Sequence, residues 1–345
     1  MILYITSIET AFTIRDKEMI SPHFKLRSLT FTDKALALPF YFIIQMFQLL
    51  IYLPKTTQYL CFFGGYHTVW PVIFGKVFKK RVIIQCGGTD AMHLPNINYG
   101  NYRKKWLKKA TVFSFKNCSL ILPVSSALVK STYTYDNLAP RKQGLLNLIP
   151  DLTTPIKVVH NGFDQEFWVD TQLEKEPFTF VTVATGISKQ NRAFVKGIDL
   201  IVQLAEKFTN YTFKLVGDAN FETTLPNITA IPAQPKEGIR QIFQEAQFYL
   251  QLSASEGFPN SLAEAMLCGC VPIGSQVGEI SNIIGETGFV LRQKNIHDLI
   301  QIIHILPQSN YRELRIQARR RIVEHYTYSK RKEKILEILA DTSTS

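Results

Sequence analysis

The amino-acid sequence predicts an α/β protein of two doubly wound parallel sheets. Three observations carry that expectation. Short apolar runs end repeatedly in glycine or polar turns and lead into helical stretches, the rhythm of strand–helix–strand units. The rhythm pauses near residue 160 and starts again near 178. A chain of 345 residues with 46% hydrophobic content is long enough for two cores of ordinary size. The expected units are 1–162 and 163–320, with a basic helix at 321–345 returning to brace the first.

Residues 2–6 read as the first strand, and 6–13 as the loop at its carboxyl end, where open α/β sheets bind ligands. A charged helix is expected at 15–23. The most apolar stretch, 36–53, approaches the length of a membrane span. Pro39, Gln45 and Gln48 interrupt it and no hydrophilic flanks frame an anchor, so it reads as a buried crossover helix. Strands at 58–63 and 82–85 run into the pairs Gly64-Gly65 and Gly87-Gly88. Residues 103–116, RKKWLKKATVFSFK, interleave basic and aromatic side chains. A helix on anionic lipid, a nucleic-acid patch and a solvated helix face all remain open for it. After a strand at 120–124, Ser125-Ser126 are residues that cap another helix. Residues 136–155 carry Pro140, Gly144, Pro150 and Pro155 and have linker composition. A last strand is expected at 156–159, before His160, Asn161, Gly162, Phe163 and Asp164.

The second half repeats the pattern: a strand at 178–183, a polar loop at 184–196 and a helix at 197–208. A strand at 213–216 ends in Gly217-Asp218, and another is expected at 227–231 before a helix through 246. Strands at 271–273 and 288–290 precede a basic terminal helix at 318–339. There is no tandem repeat and no low-complexity segment.

Net charge is +11 and unevenly placed. Residues 1–160 hold 20 Lys and Arg against seven Asp and Glu; the rest holds 19 against 21. The basic excess in the first half points to an anionic surface or partner there. Cys61, Cys86, Cys118, Cys268 and Cys270 are odd in number and lack zinc spacing, which reads as free thiols in a reducing compartment. The opening ILYITS lacks the basic flank of a signal peptide, so a cytoplasmic location is expected.

The richest stretch is 251–272, QLSASEGFPNSLAEAMLCGCVP. A buried strand leads to a turn-rich segment and then to a helix start, the parts a phosphate site needs. Glu256 and Glu264 are separated by seven residues. Two readings stay open: Ser261 and Glu264 form a capping box beside a solvated Glu256, or both carboxylates meet a ligand.

The ordered string Glu256, Gly257, Phe258, Glu264, Ala265, Gly269, Pro272, Gly278 resembles the donor-binding signature of retaining GT-B glycosyltransferases, glycosyltransferase family 4. The resemblance implies two Rossmann-like domains facing across a cleft, the first binding acceptor and the second a nucleotide-diphosphate sugar. It implies that Glu264 holds ribose hydroxyls and Glu256 a sugar hydroxyl, with backbone from Gly257, Phe258, Pro259, Asn260, Ser261 and Leu262 nearby. Gly217, in another strand-end turn, joins the donor set. Lys196-Gly197 fits the family's diphosphate-gripping loop. Ile187 stands where the family has arginine, and Arg192 is the substitute, with Lys189 the runner-up. NGFD, 161–164, resembles the interdomain hinge, and the turn at 124–126 the family's V-S-x. GGTD, 87–90, resembles H-G-x-D with glycine in place of histidine; Thr89, Asp90 and His67 are the acceptor-side candidates, with His93 as the other histidine. The family's Gly-Gly pair is absent from the first loop, where Ser7, Thr10 and Thr13 stand.

The activity so implied is retaining transfer of a UDP- or GDP-linked sugar to a glycan or lipid-linked acceptor, in surface polysaccharide or glycolipid synthesis. No metal and no further cofactor are expected, and there is no Asp-x-Asp pair. An anionic membrane surface is an expected partner through 103–116, at the inner face of the cytoplasmic membrane; nucleic acid is not. A nucleotide-sugar epimerase on the same fold and an inactive nucleotide-sugar binder remain alternatives.

Overall fold

The computed structural model describes residues 1–32, 34–137 and 140–341. The chain folds into two compact units. Unit 1 holds Met1–Thr132, Lys142–His160 and the described residues from Ser329 on; unit 2 holds Tyr133–Arg141 and Asn161–Tyr328. The stretch 136–155 is therefore shared between the units, and its residues 138–139 lie outside the described ones, as do 342–345 of the expected terminal helix.

Unit 1 runs β1 (Ile2–Thr6), α1 (Ala11–Ile20), β2 (Leu26–Thr30), α2 (Leu38–Tyr52), β3 (Gln58–Phe62), α3 (Val69–Val77), β4 (Arg81–Cys86), α4 (Lys105–Asn117) and β5 (Leu120–Pro123). A small hairpin, β6 (Ser131–Thr132) with β7 (Lys142–Gln143), and α5 (Leu145–Leu148) follow. The parallel sheet has the order β2-β1-β3-β4-β5. Strands β1, β3 and β4 are buried throughout, which is why they read as continuous apolar runs. β2 is an edge strand carrying Arg27, and only Leu29 in it is buried, so its apolar signal is weak. α1 begins earlier than the charge pattern indicates, because Thr10 and Thr13 form a reciprocal cap. Ser125-Ser126 opens only a single turn, Ser126–Leu128, with no side-chain cap. The expected strand at 156–159 is reduced to one bridge between Ile121 and Ile156.

α2 corrects the expectation of a buried helix. Only Gln45 and Leu49 on it are buried, whereas Phe40, Ile43, Ile44, Phe47, Leu50 and Ile51 face outward. Gln45, which as a polar residue argued against a membrane span, points inward and donates to the His67 carbonyl at 2.9 Å.

Unit 2 runs β8 (Glu176–Val183), α6 (Gln190–Val195), α7 (Ile198–Lys207), β9 (Thr212–Val216), β10 (Ile228–Ile231), α8 (Lys236–Glu245), β11 (Ala246–Gln251), α9 (Asn260–Leu267), β12 (Val271–Ser275), α10 (Ile280–Ile284), β13 (Phe289–Leu291), α11 (Ile296–Ile305) and α12 (Tyr311–His325). Its parallel sheet is ordered β10-β9-β8-β11-β12-β13. The single terminal helix expected at 318–339 is two: α12 ends at His325 and α13 spans Tyr328–Ala340. The break is where Phe163 donates to the Tyr326 carbonyl at 2.9 Å and accepts from the Tyr328 N–H at 2.8 Å. Backbone groups committed to that pairing cannot continue a helix.

α13 is fastened to unit 1 by a buried ion pair. Arg331 donates to both Asp16 oxygens at 3.1 Å, and to the carbonyls of Val159 and His160 at 3.2 and 3.0 Å. Gln85 donates to the same carboxylate at 2.8 Å. Both charges are almost fully buried, with side-chain exposures of 2% and 1%. Removing one partner strands the other in a dry site. Arg331→Ala is expected to lower stability by about 3–5 kcal/mol in urea unfolding, and Arg331→Met with Asp16→Leu to recover most of that loss.

Candidate functional site

In open α/β sheets, ligands bind beyond the carboxyl ends of the strands where strand order reverses. In unit 2 that point lies between β8 and β11, and both site loops leave from it. After β8 the chain forms a loop and then α6, where a plain loop was expected through residue 196. The loop is tied down by Asp218, which accepts from the Ser188 N–H and hydroxyl at 2.9 and 2.8 Å. Lys196 follows α6, and Gly197 then takes a left-handed φ of +71°. A Cβ there would stand 2.1 Å from the Leu252 carbonyl oxygen, so only glycine lets this turn lie against the end of β11. The Ala254 N–H donates to the Val195 carbonyl at 2.8 Å and completes the junction.

The junction delivers Lys196 Nζ to Glu256 Oε1 at 2.5 Å. Both side chains are largely shielded, at 18% and 14% exposure. The same carboxylate oxygen accepts from Ser253 Oγ at 3.1 Å and Gln251 Nε2 at 3.3 Å. Gln251 donates to Ser253 Oγ at 2.8 Å and accepts from the Tyr249 hydroxyl at 3.2 Å, and the Tyr249 and Ser261 hydroxyls are hydrogen-bonded at 2.7 Å. Burial, above all, pushes the Tyr249 phenol well up; the Ser261 bond opposes this, and the charges of Glu256 and Glu264 add to it. Both carboxylates therefore bear on one buried phenol. Gly278 closes the loop from the far side: its φ is +56°, and a Cβ would meet the Glu256 carbonyl oxygen at 1.9 Å.

α9 starts at Asn260 behind Pro259, and no side chain of the cap residue closes it. Ser261 lies inside the first turn with its hydroxyl bonded to Tyr249, so the expected capping box does not form. The first-turn N–H groups have no acceptor within their own helix. Asn260 accepts from Asn161 at 2.7 Å, and Phe258 stacks on Phe163 at 5.9 Å, so the NGFD string supports this loop. Gly257, Pro259 and Leu262 are buried, and Glu264 is half-buried on α9. Gly217 packs beneath the β8 loop, where a Cβ would lie 2.7 Å from the Ala184 carbonyl. Arg192 is exposed on α6, its Nε 3.4 Å from the Thr185 carbonyl, and Lys189 precedes that helix, also exposed.

Tyr249, Gln251 and Ser253 were not singled out in the sequence. Their signal is a row of polar residues at every second position of an apolar strand, which places them on one face.

In unit 1 the strand order reverses between β1 and β3, and a pocket of ≈ 390 Å³ opens there. His67 and Thr89 line it with Ser7, Gly64 and Tyr66. Asp90 is fully buried and accepts from the N–H groups of Gly64, Gly87 and Gly88 at 2.9, 3.2 and 3.0 Å, so it ties the two glycine turns together. Its burial raises its pKa, against the pull of those N–H donors. His67 is 4% exposed with Nε2 2.8 Å from the Phe62 carbonyl. His93 has its N–H and carbonyl engaged by Gln143. Among the described residues, no cluster of three or more His, Cys, Asp or Glu is arranged to hold a metal ion.

Solved structures of the same architecture fix the fold class. Sucrose-phosphate synthase from Thermosynechococcus elongatus superposes with a TM-score of 0.75 at 12% identity, covering 98% of both chains. Anabaena HepE in complex with UDP-glucose gives 0.70 at 14% identity, covering 98% of this chain and 99% of that one. The fold is GT-B. Within this GT-B chain, residues 178–308 match the family model described as glycosyl transferases group 1. That match holds β8, Lys196, Glu256 and Glu264. The GPI3 subunit of phosphatidylinositol N-acetylglucosaminyltransferase from Saccharomyces cerevisiae is 23% identical over 219 residues, covering 59% of this chain. The chain spans about half the length of that relative, 46% of which is matched.

Burial lowers the pKa of His67 from 6.5 to about 4. The unfolded chain therefore binds a proton near pH 6.5 that the folded chain does not bind until about pH 4. Stability is full above pH 6.5 and falls as the pH drops through that window, by about 3 kcal/mol from this group. Urea unfolding at pH 7 and pH 4.5 is expected to show the fall, and His67→Gln to flatten it.

Proposed function

We propose that unit 2 binds a UDP- or GDP-linked sugar and that the chain transfers the sugar to a glycan or lipid-linked acceptor with retention at the anomeric carbon. The observation that carries this reading is the Lys196–Glu256 pair at the strand-order reversal, beside the first turn of α9. A diphosphate needs cations and N–H donors, and a sugar needs a fixed carboxylate acceptor; this corner of unit 2 offers each. Lys196 and Arg192 stabilise the charge that builds on the leaving diphosphate. Glu264 accepts from ribose hydroxyls, and Glu256 from a hydroxyl of the sugar. The bond from the anomeric carbon to the diphosphate oxygen breaks as the acceptor oxygen bonds that carbon, and the acceptor proton passes to the departing phosphate. The match of 178–308 to glycosyl transferases group 1 supports transfer, and the HepE complex with UDP-glucose supports the donor class.

Acceptor recognition is assigned to unit 1, whose pocket holds His67 and Thr89 above the buried Asp90. The relatedness to a phosphatidylinositol N-acetylglucosaminyltransferase subunit and the basic stretch 103–116 favour an acceptor at an anionic membrane surface. We place the activity in glycolipid or surface polysaccharide synthesis on the cytoplasmic face.

A thermal-shift panel of nucleotide sugars tests the donor. Glu264→Gln is expected to reduce transfer efficiency roughly ten- to a hundred-fold at subsaturating donor, through loss of charge-assisted hydrogen bonds of about 1.5–3 kcal/mol. Wild-type activity in that variant would remove Glu264 from the site. Lys196→Ala is expected to lose at least as much activity. Because it also leaves Glu256 with only Ser253 and Gln251, it should lower donor-free stability by about 1.5–3 kcal/mol. Turnover of the donor sugar without acceptor, giving an epimer, would overturn the transferase reading.

A further inference from the structure

We propose that the outward face of α2 lies in the interfacial layer of an anionic lipid bilayer, with the helix in the membrane plane. The inference deepens the membrane reading of 103–116 by naming the element that enters lipid. Its geometry belongs to unit 1 alone.

α2 is amphipathic in the wrong sense for water. Every exposed residue between Leu36 and Pro54 is apolar, including Phe40 at 71% and Ile51 at 72% exposure. The polar Gln45 is on the inner face, bonded to the His67 carbonyl, and Gln48 is half-buried. A crossover helix between unit and water shows the reverse arrangement. An unbroken apolar face of this kind marks an interaction site.

The helix does not span. Ala35–Lys55, with its flanking turns, is long and apolar enough for a span by composition. Length therefore does not decide the orientation, and packing does. The inner face of the helix is occupied, by α3 and by the Gln45 bond. One side is held by protein and the other is open along its length, which is the geometry of a helix lying in an interface.

Charge identifies the occupant. Between Lys34 and Tyr135 there are 13 Lys and Arg and a single acidic residue, Asp90, which is fully buried. This segment holds α2, α3 and α4, and α3 packs against both of the others, so the three form one layer. Lys105, Lys108 and Lys109 are exposed on α4 with Trp106 and Phe113, an aromatic–basic mixture suited to lipid headgroups. Lys104 lines the same pocket as Ala35 and Leu38, which joins the basic and apolar patches. A second copy docked face to face on α2 would set this cationic rim against itself. A continuous anionic surface neutralises all of it.

The test uses the full chain and vesicles of phosphatidylcholine, with or without about one-third phosphatidylglycerol. Wild type is expected to sediment with the anionic vesicles, and Ile43→Ser with Phe47→Ser to reduce partitioning by at least about tenfold. In a Trp106→Phe background, adding Phe47→Trp should give quenching by brominated lipid chains beyond that of the background alone, which separates insertion of α2 from electrostatic contact by α4. Wild type remaining in the supernatant, serine variants that sediment equally, or no quenching beyond the background would each overturn the proposal. A dimer that the serine variants dissolve, without vesicle binding, would assign the face to a second copy. Donor-induced thermal stabilisation without vesicles reports separately on the transferase reading. Its loss with vesicle binding intact would leave this inference standing.

Discussion

A carboxylate that is 14% exposed must be compensated, and the organisation of unit 2 follows from how Glu256 meets that requirement. One cation, one hydroxyl and one amide converge on a single oxygen. Each arrives from a different place: Lys196 from the turn after α6, Gln251 and Ser253 from the end of β11. Such convergence requires two neighbouring strand ends and a backbone close enough for them to touch. The reversal of strand order supplies the first, and Gly197 and Gly278 supply the second. The remaining oxygen of Glu256 and the ammonium protons of Lys196 not used in the pair are then the polar valences that a ligand can take.

Unit 1 meets the same demand with a different result. Asp90 is a buried carboxylate compensated by backbone N–H groups rather than by a cation. Its valences are spent on holding the Gly64 and Gly87-Gly88 turns in register, so among the described residues the pocket above is lined by neutral groups apart from Lys104. His67, whose ring is buried and whose protonation is suppressed by that burial, belongs to this neutral lining. The two units thus share a strand plan while their reversal points differ in electrostatic character: a paired Lys and Glu in one, a largely neutral lining with the cation Lys104 in the other.

The parallel sheets were legible because buried strands have nowhere to place polar residues, so β1, β3, β4 and β11 stand out as apolar runs. β2 was not, since an edge strand with one buried side chain lacks that signature. The helix break at residues 326–327 was illegible for another reason: it is made by the backbone of Phe163, more than 150 residues away, and no local pattern encodes it. Within the site, the charged members were visible by type and spacing, but Tyr249, Gln251 and Ser253 were hidden by their apolar neighbours. For α2 the composition was read correctly and the direction was not. Hydropathy measures how apolar a segment is; which side meets protein depends on the partners of Gln45 and Leu49, and those are tertiary.

Glu264 shows how structure can weigh two readings that sequence leaves level. A serine followed three residues later by glutamate satisfies the capping-box pattern, and in isolation that pattern suffices to explain the glutamate. The box needs the serine at the position before the first helical residue. Pro259 occupies that position, and its ring fixes the start of α9 at Asn260, one residue ahead of Ser261. Displaced into the first turn, Ser261 turns its hydroxyl to Tyr249, whose other partner, Gln251, leads on to Glu256. The residue that would have tied Glu264 to the backbone is thereby enrolled in the network around the other carboxylate. Capping no longer accounts for Glu264, and its effect on the Tyr249 phenol places its charge within reach of the same buried group as Glu256. Two carboxylates thus bear on one buried phenol beside a helix start, and helix stability alone does not call for that.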